Sequence, residues 1–282
     1  MKMTPRAFTL LELLVTMAVL SLLMLALAPG LSRTKPAGYA VQCLYNLRQL
    51  GMAGQMYSQD YNDKFLVNLH GAEAQGGAGD PKYGVGWAEG WLDWLATRGD
   101  NTNLNFLVNR KYARIAAYVN GATNLFKCPS DNFLTDAQRA IGWSRRVRSY
   151  SAALGIGPGN AETGPWDGIY RHVVKVSDLL FPGPAETFIY LDEHPDSIND
   201  PGFYSPHQTQ CVDIPTTLHN GAAAFSFADG HVELHRWVAC LATGRATQVR
   251  LQDFVGGVLA PAGDADIHWI SYHTQRVSTD SF

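Results

Sequence analysis

Most of the chemistry in this 282-residue sequence is written in two short stretches of its C-terminal half. DEHPDSIND gathers Asp192, Asp196, Asn199 and Asp200 in one turn-rich segment. Hard oxygen donors of this kind suit calcium, although the spacing matches no EF-hand loop, and a plain Asx-turn loop is the alternative reading. The second stretch, LHNGAAAFSFADGHVELHRW, holds His219 ten residues before Asp229, and then His231, Glu233 and His235. A two-residue turn at Asp229-Gly230 sets Phe227 opposite Val232 and Phe225 opposite Leu234, and leaves His231, Glu233 and His235 on the other face. His231 and His235 then stand roughly 13 Å apart, too far to share an ion whose ligands lie at ~2.1 Å. His219 could join Asp229 or Asp192 in a site, but a structural role, its imidazole bonded to a turn carbonyl or a carboxylate, is the expected one.

Four cysteines, Cys43, Cys128, Cys211 and Cys240, allow three pairings. The sequence alone does not choose among them. Cys43 with Cys128 is the favoured disulfide, since it would tie the CPSD loop to a helix; four buried free thiols are the alternative. No C-x-x-C is present, so the spacing does not suggest zinc. Trp87, Trp91 and Trp94, in WAEGWLDW, fall at helical spacing and form an aromatic row. Such a row either stacks on a polysaccharide or packs its helix onto the core. Nucleophile-elbow, metalloprotease, phosphate-loop and dinucleotide signatures are absent, and scattered carboxylates do not define a hydrolase.

The elements that must position these residues come next. ETFIYL reads as a buried strand and NFLVNRKYARIAAYV as a helix. From Ala37 onward, Cys43, Leu47, Leu50, Gly54, Tyr57 and Tyr61 step by three and four along one helical face. Before that, Phe8 to Ala28 is apolar except for Glu12, and as a helix it would measure ~32 Å, the thickness of a bilayer's hydrocarbon core. Pro29-Gly30 is expected to kink or loosen the helix that follows. Lys2 and Arg6 precede the apolar run and orient it N-terminus inward, with the cysteines on the far side. A secretory signal ending at Ala26-Leu27-Ala28 and a plain anchor are the rival readings, and neither explains an acid at Glu12. The net charge is −3. That balance gives no field for nucleic acid, and Arg145, Arg146 and Arg148 are expected on a solvated surface.

RAFTLLELLV resembles the N-terminus of type IV prepilins and type II secretion pseudopilins. CLYNLRQLGMAGQMYSQDYNDKF, FKCPSD, RSYSAAL, TFIYLDEHPDSIND and the H-x9-D-G of His219 to Gly230 resemble large-headed prepilin-like proteins of planctomycete and verrucomicrobial bacteria. The resemblance implies cleavage between Ala7 and Phe8, with Ala7 standing where the family usually has Gly. It also implies methylation of the new amino group at Phe8, and pairing of Glu12 with that amino group on a neighbouring subunit as a filament assembles.

The expected fold is α+β: a leader, 1–7; a helical stem, 8–62, with a transmembrane half and an amphipathic half; and a globular head, 63–282, built on an antiparallel sheet. The expected function is a structural subunit of a type IV pilus-like or type II secretion pseudopilus-like filament, single-pass in the inner membrane with its head outward. Its partners would be other pilin-like subunits, prepilin peptidase, an assembly platform and membrane lipid, with no nucleic acid. No cofactor is required by this reading, apart from calcium in the head if DEHPDSIND binds it. The alternatives are a surface-displayed polysaccharide-binding module and, third, a secreted or anchored hydrolase.

Overall fold

A computed structural model describes residues 9–71, 74, 84–158, 170–206, 209–253 and 256–275, with backbone only for 25–36. The chain forms two units, Met1–Gly38 and Tyr39–Phe282. Helix α1 (Leu10–Asp60) opens on Thr9, whose backbone and hydroxyl both donate to Glu12 Oε2 at 2.8 Å, while the Glu12 amide donates back to Thr9 Oγ1 at 3.3 Å. This is a reciprocal capping box at the helix start. Along the described part of the first unit the large apolar side chains, from Leu10 to Met24, are at least half exposed. Helix α1 continues through Pro29-Gly30, since a proline removes one hydrogen bond and its neighbours in the ladder remain.

In the second unit the same helix presents Cys43, Leu47, Leu50, Ala53 and Tyr57 to the core. Tyr61, past the helix end, is 44% exposed and stacks on Tyr57 at 4.2 Å. That stripe packs on a five-stranded sheet of order β3-β1-β2-β5-β6. Its strands are β1 (Tyr150–Ala153), β2 (Phe188–Asp192), β3 (Gly202–Phe203), β5 (Ala222–Phe227) and β6 (Val232–Arg236). A separate pair joins β4 (Gln210–Cys211) to β7 (Val258–Leu259). All pairs in the large sheet are antiparallel except β1 with β3, because the chain turns back after β2 and crosses to the far edge of β1.

Small residues let helix and sheet approach closely. A Cβ at Gly51 would lie 2.5 Å from Ser226 Oγ, and one at Gly54 would lie 3.4 Å from the Tyr190 hydroxyl. A cavity of about 30 Å³ remains between them, lined in part by Gly51, Gly54 and Tyr190, about enough for one water. The opposite face of the sheet carries aromatic rings. Phe225 meets Phe188 at 5.4 Å and Trp269 at 4.8 Å, the latter on the last helix. The short helices are α2 (Asn105–Val108), α3 (Asp136–Ala140), which has a capping box at Thr135, and α4 (Ala265–Tyr272).

Three sequence expectations change. The β5–β6 hairpin forms, but one residue out of the expected register: Phe225 pairs with Glu233, and Ala224 with Leu234. The Phe227 amide donates to the His231 carbonyl and that of Gly230 to the Phe227 carbonyl, both at 3.0 Å, so the loop has three residues, closed by Gly230 at φ +96. A one-residue slip exchanges faces, which puts His231, Glu233 and His235 on the side of Phe225 and Phe227. His231 stacks on Phe227 at 4.2 Å, and His235 on Trp269 at 3.8 Å.

WAEGWLDW is not helical, because its amides are taken from outside. Glu89 donates to Phe106 O, Trp91 to Asp100 Oδ2, Leu92 to Asn199 O and Asp93 to Asn101 Oδ1. NFLVNRKYARIAAYV breaks into α2 and a single 3₁₀ turn, Arg114–Ala117, whose first amide donates to Gly86 O at 2.9 Å.

Burial holds His235 neutral, with a pKa lowered to about 4 against the opposing charge of Asp266. Between that value and the ordinary ~6.5 the unfolded chain takes up a proton that the folded chain refuses. This contribution to stability is therefore present above about pH 6.5 and is lost as pH falls toward 4. A His235→Phe variant should show a shallower loss of urea midpoint between pH 7 and 4 than the parent. Gly51→Val should lower stability by about 1–3 kcal/mol in urea unfolding, through overpacking against Ser226.

Candidate metal centre

The segment that ends β2, the turn before β5, the CPSD loop and helix α1 meet at one end of the sheet. Asp192 is the last residue of β2 and pairs across the ladder with Tyr150, the first of β1. His219 sits in the tight turn closed by the Gly221 amide on the Thr217 carbonyl at 2.9 Å, with Asn220 at φ +58. Cys128 follows the 3₁₀ turn Thr123–Phe126, and its carbonyl accepts from the Asp131 amide at 3.1 Å. Cys43 comes from the buried stripe of α1, and Asn46, one turn on, donates to the Lys127 carbonyl at 3.0 Å and the Asn124 carbonyl at 3.2 Å. The helix is thus clipped to the loop that carries Cys128.

The four side chains converge. Cys43 Sγ lies 3.2 Å from Asp192 Oδ2, His219 Nε2 lies 2.9 Å from the same oxygen, and Cys128 Sγ lies 3.4 Å from His219 Nε2. One donor atom from each falls within 4.8 Å of all the others. Cys43, Cys128 and Asp192 are fully buried, and His219 is 5% exposed with its side chain wholly covered. The Tyr150 hydroxyl donates to Cys43 Sγ at 3.4 Å. Asp192 Oδ1 makes no hydrogen bond among the described residues.

Burial, then Cys128 and the charge of Asp192, push the Cys43 thiol well up. For His219, burial acts to lower the pKa, but hydrogen bonds to Asp192 and Cys128 and their charges carry it up to about 10.

Cys43 and Cys128, the pair expected to form a disulfide, are neighbours here, and both stand as free thiols, as do Cys211 and Cys240. The four donors come from four separate elements, so no short motif such as C-x-x-C brings them together in the sequence. CPSD and the histidine of H-x9-D-G were the visible signals, and nothing in their spacing joins them. Asp229 plays a different part, at the hairpin tip, where its Oδ1 accepts from the His231 amide at 3.0 Å.

The oxygen donors expected to bind calcium do not converge. Asp192 faces the thiols, whereas Asp196 pairs with Arg245 at 2.5 Å and accepts from the amides of Arg250 and Leu251. Asp200 pairs with His70 at 2.9 Å and accepts from Gly71 and Gly202, and Asn199 Oδ1 accepts from the Asp200 amide. The aromatic row is likewise not a surface. Trp87 is 1% exposed, with its indole donating to Asn68 and Pro201, and Trp94 is 7% exposed under the Arg146 guanidinium at 3.9 Å; Trp91 alone is half-buried.

Arg146 and Arg148 are fully buried, not solvated as expected. They approach β1 where the acidic segment after β2 passes, so Arg148 donates to the carbonyls of Tyr150 and Asn199 and to Ser151 Oγ. Burial pushes Glu193 well up, and burial together with Asp200 raises Asp213 to about 7. A second group, Cys240 with Asp264 and Asp266, brings donor atoms within 4.8 Å. Its carboxylates, however, accept the amides of Val238, Ala239, Cys240 and Leu241 and cap α4.

Ala7 and Phe8 lie outside the described residues. Glu12 is exposed and engaged with Thr9. The family model of the prokaryotic N-terminal methylation motif matches residues 2–28, which supports a prepilin-like N-terminus. No curated protein and no solved structure matches the chain.

Lys127 and Asp131, at 2.6 Å and both buried, hold the CPSD loop, with Ser149 Oγ donating to the same carboxylate oxygen at 2.7 Å. Lys127→Met should cost about 3–5 kcal/mol in urea unfolding, because it leaves Asp131 buried and uncompensated. Adding Asp131→Leu should recover a large part of that loss.

Proposed function

We propose that the chain is a prepilin-like precursor, cut between Ala7 and Phe8 and methylated at Phe8, whose stem helix enters a type IV pilus-like or type II secretion pseudopilus-like filament. The carrying observation is the match of the methylation motif to residues 2–28, with Glu12 five residues into the mature chain. Among the described residues no helix is long and apolar enough to cross a membrane. The side-chain description of the apolar run stops at Met24, short of its end at Ala28. In this reading the run from Phe8 to Ala28 spans the inner membrane with its N-terminus inside, and the head is displayed outward. The exposed leucines of the described helix support it, since lipid or neighbouring stems would cover them.

Glu12 then has two partners in succession. Before assembly its carboxylate accepts from Thr9, and within the filament it neutralises the methylated amino group of Phe8 on the next subunit. The head has no catalytic part in this function. The polysaccharide reading loses its motive, since Trp87 and Trp94 serve the interior.

Recovered from the membranes of a host that expresses prepilin peptidase, the protein should begin at methylated Phe8 by intact mass and N-terminal sequencing. A start at Pro29 overturns the reading. Glu12→Gln keeps the cap and removes the charge, so it should be processed normally yet fail to assemble, and Glu12→Ala should do the same. Normal filaments from the Gln variant would leave Glu12 as a helix cap alone.

A further inference from the structure

We propose that Cys43, Cys128, Asp192 and His219 form a structural zinc site that fastens helix α1 to the head. The inference stands independently of the filament reading.

Donor chemistry is the first support. Two sulfurs, an imidazole and a carboxylate are borderline-soft ligands that suit zinc and disfavour calcium or magnesium. Geometry is the second. Ligands at about 2.3 Å for sulfur and about 2.0–2.1 Å for nitrogen and oxygen define a tetrahedron with edges of about 3.3–3.8 Å. Three of the six edges, at 3.2, 3.4 and 2.9 Å, differ from these by a few tenths of an ångström, and the other three lie within 4.8 Å, so side-chain rotations bring the set toward a tetrahedron.

A third support comes from Asp192 itself. Its carboxylate is fully buried, and Oδ1 makes no hydrogen bond among the described residues. A disulfide between Cys43 and Cys128 would use two of the four donors and leave Asp192 with His219 alone, its Oδ1 still without a partner among the described residues. A divalent cation engages all four. The Tyr150 hydroxyl on Cys43 Sγ is the kind of outer hydrogen bond that holds a thiolate ligand in place.

All four ligands are buried, so the site offers no open position for water or substrate, and its role is structural. The ligands are drawn from α1, the CPSD loop, β2 and the turn before β5, so one ion ties together positions 43, 128, 192 and 219. Two residues one turn apart on α1, Cys43 through the metal and Asn46 through the carbonyls of Asn124 and Lys127, then fix the helix at this end.

The test uses the full chain in detergent, purified under reducing conditions without chelator. About one zinc per chain is expected by elemental analysis. Chelator should lower the unfolding temperature, and added zinc should restore it. Cobalt(II) added to the stripped protein should give the thiolate charge-transfer band and visible bands of a tetrahedral site. Cys43→Ser should abolish those bands, and Tyr150→Phe should keep them while weakening zinc binding by about tenfold. Should Cys43→Ser fail to fold, the cobalt spectrum of the parent chain decides. Free thiols with neither zinc nor a cobalt band would overturn the proposal. So would a Cys43–Cys128 disulfide, or metal that persists in a folded Cys43→Ser chain.

Discussion

Helix α1 lies so close to the sheet that several positions can hold only small groups. Gly51 and Gly54 remove side chains from the helix, and Ala222, Ala224 and Ser226 keep β5 low on the facing side. The bulk displaced from that face reappears on the other, where Phe188, Phe225 and Trp269 interlock. Because the helix is near, a side chain as short as cysteine at position 43 reaches the end of β2. A larger spacing would separate the sulfur from Asp192 and disperse the cluster. Helix–sheet distance therefore governs both the apolar core and the polar site at its edge.

The same end of the head carries an unusual load of buried ionisable groups. Lys127, Asp131, Arg146, Arg148, Glu193, Asp196 and Asp200 are all withdrawn from solvent. Such groups cost desolvation energy unless each has specific partners, and here the partners are divided between other side chains and the backbone carbonyls and amides of turns. Arg148 spans from β1 to the segment after β2, and Asp196 collects two amides of a distant loop. Irregular chain is thus held by charge-assisted hydrogen bonds where no strand or helix supplies a ladder.

The sequence made the helical stripe legible because Cys43, Leu47, Leu50 and Tyr57 obey a period that only a helix satisfies. ETFIYL read as a buried strand for its aromatic and β-branched content. The hairpin's existence was legible too, but its register was not: Asp229-Gly230 serves equally in a two-residue turn and in the last part of a three-residue loop. The tryptophan spacing misled because cross-chain hydrogen bonds, which no local pattern records, take the amides of WAEGWLDW. For the cysteines the difficulty was distance along the chain. Four side chains, each isolated in sequence, come together only in the folded head.

The spacing of His219 and Asp229 acquires a meaning once both ends of β5 are followed to the same helix. At one end His219 stands with Cys43; at the other, the Ala228 carbonyl accepts from Gln55 Nε2 at 3.1 Å. Strand and helix thus work as two arms of a caliper closed at both tips. The arms are graduated differently, at about 3.3 Å per residue along the strand and about 1.5 Å along the helix. An insertion in one arm has no matching insertion in the other. An insertion between His219 and Asp229 would therefore pull apart one of the two contacts while leaving the other in place.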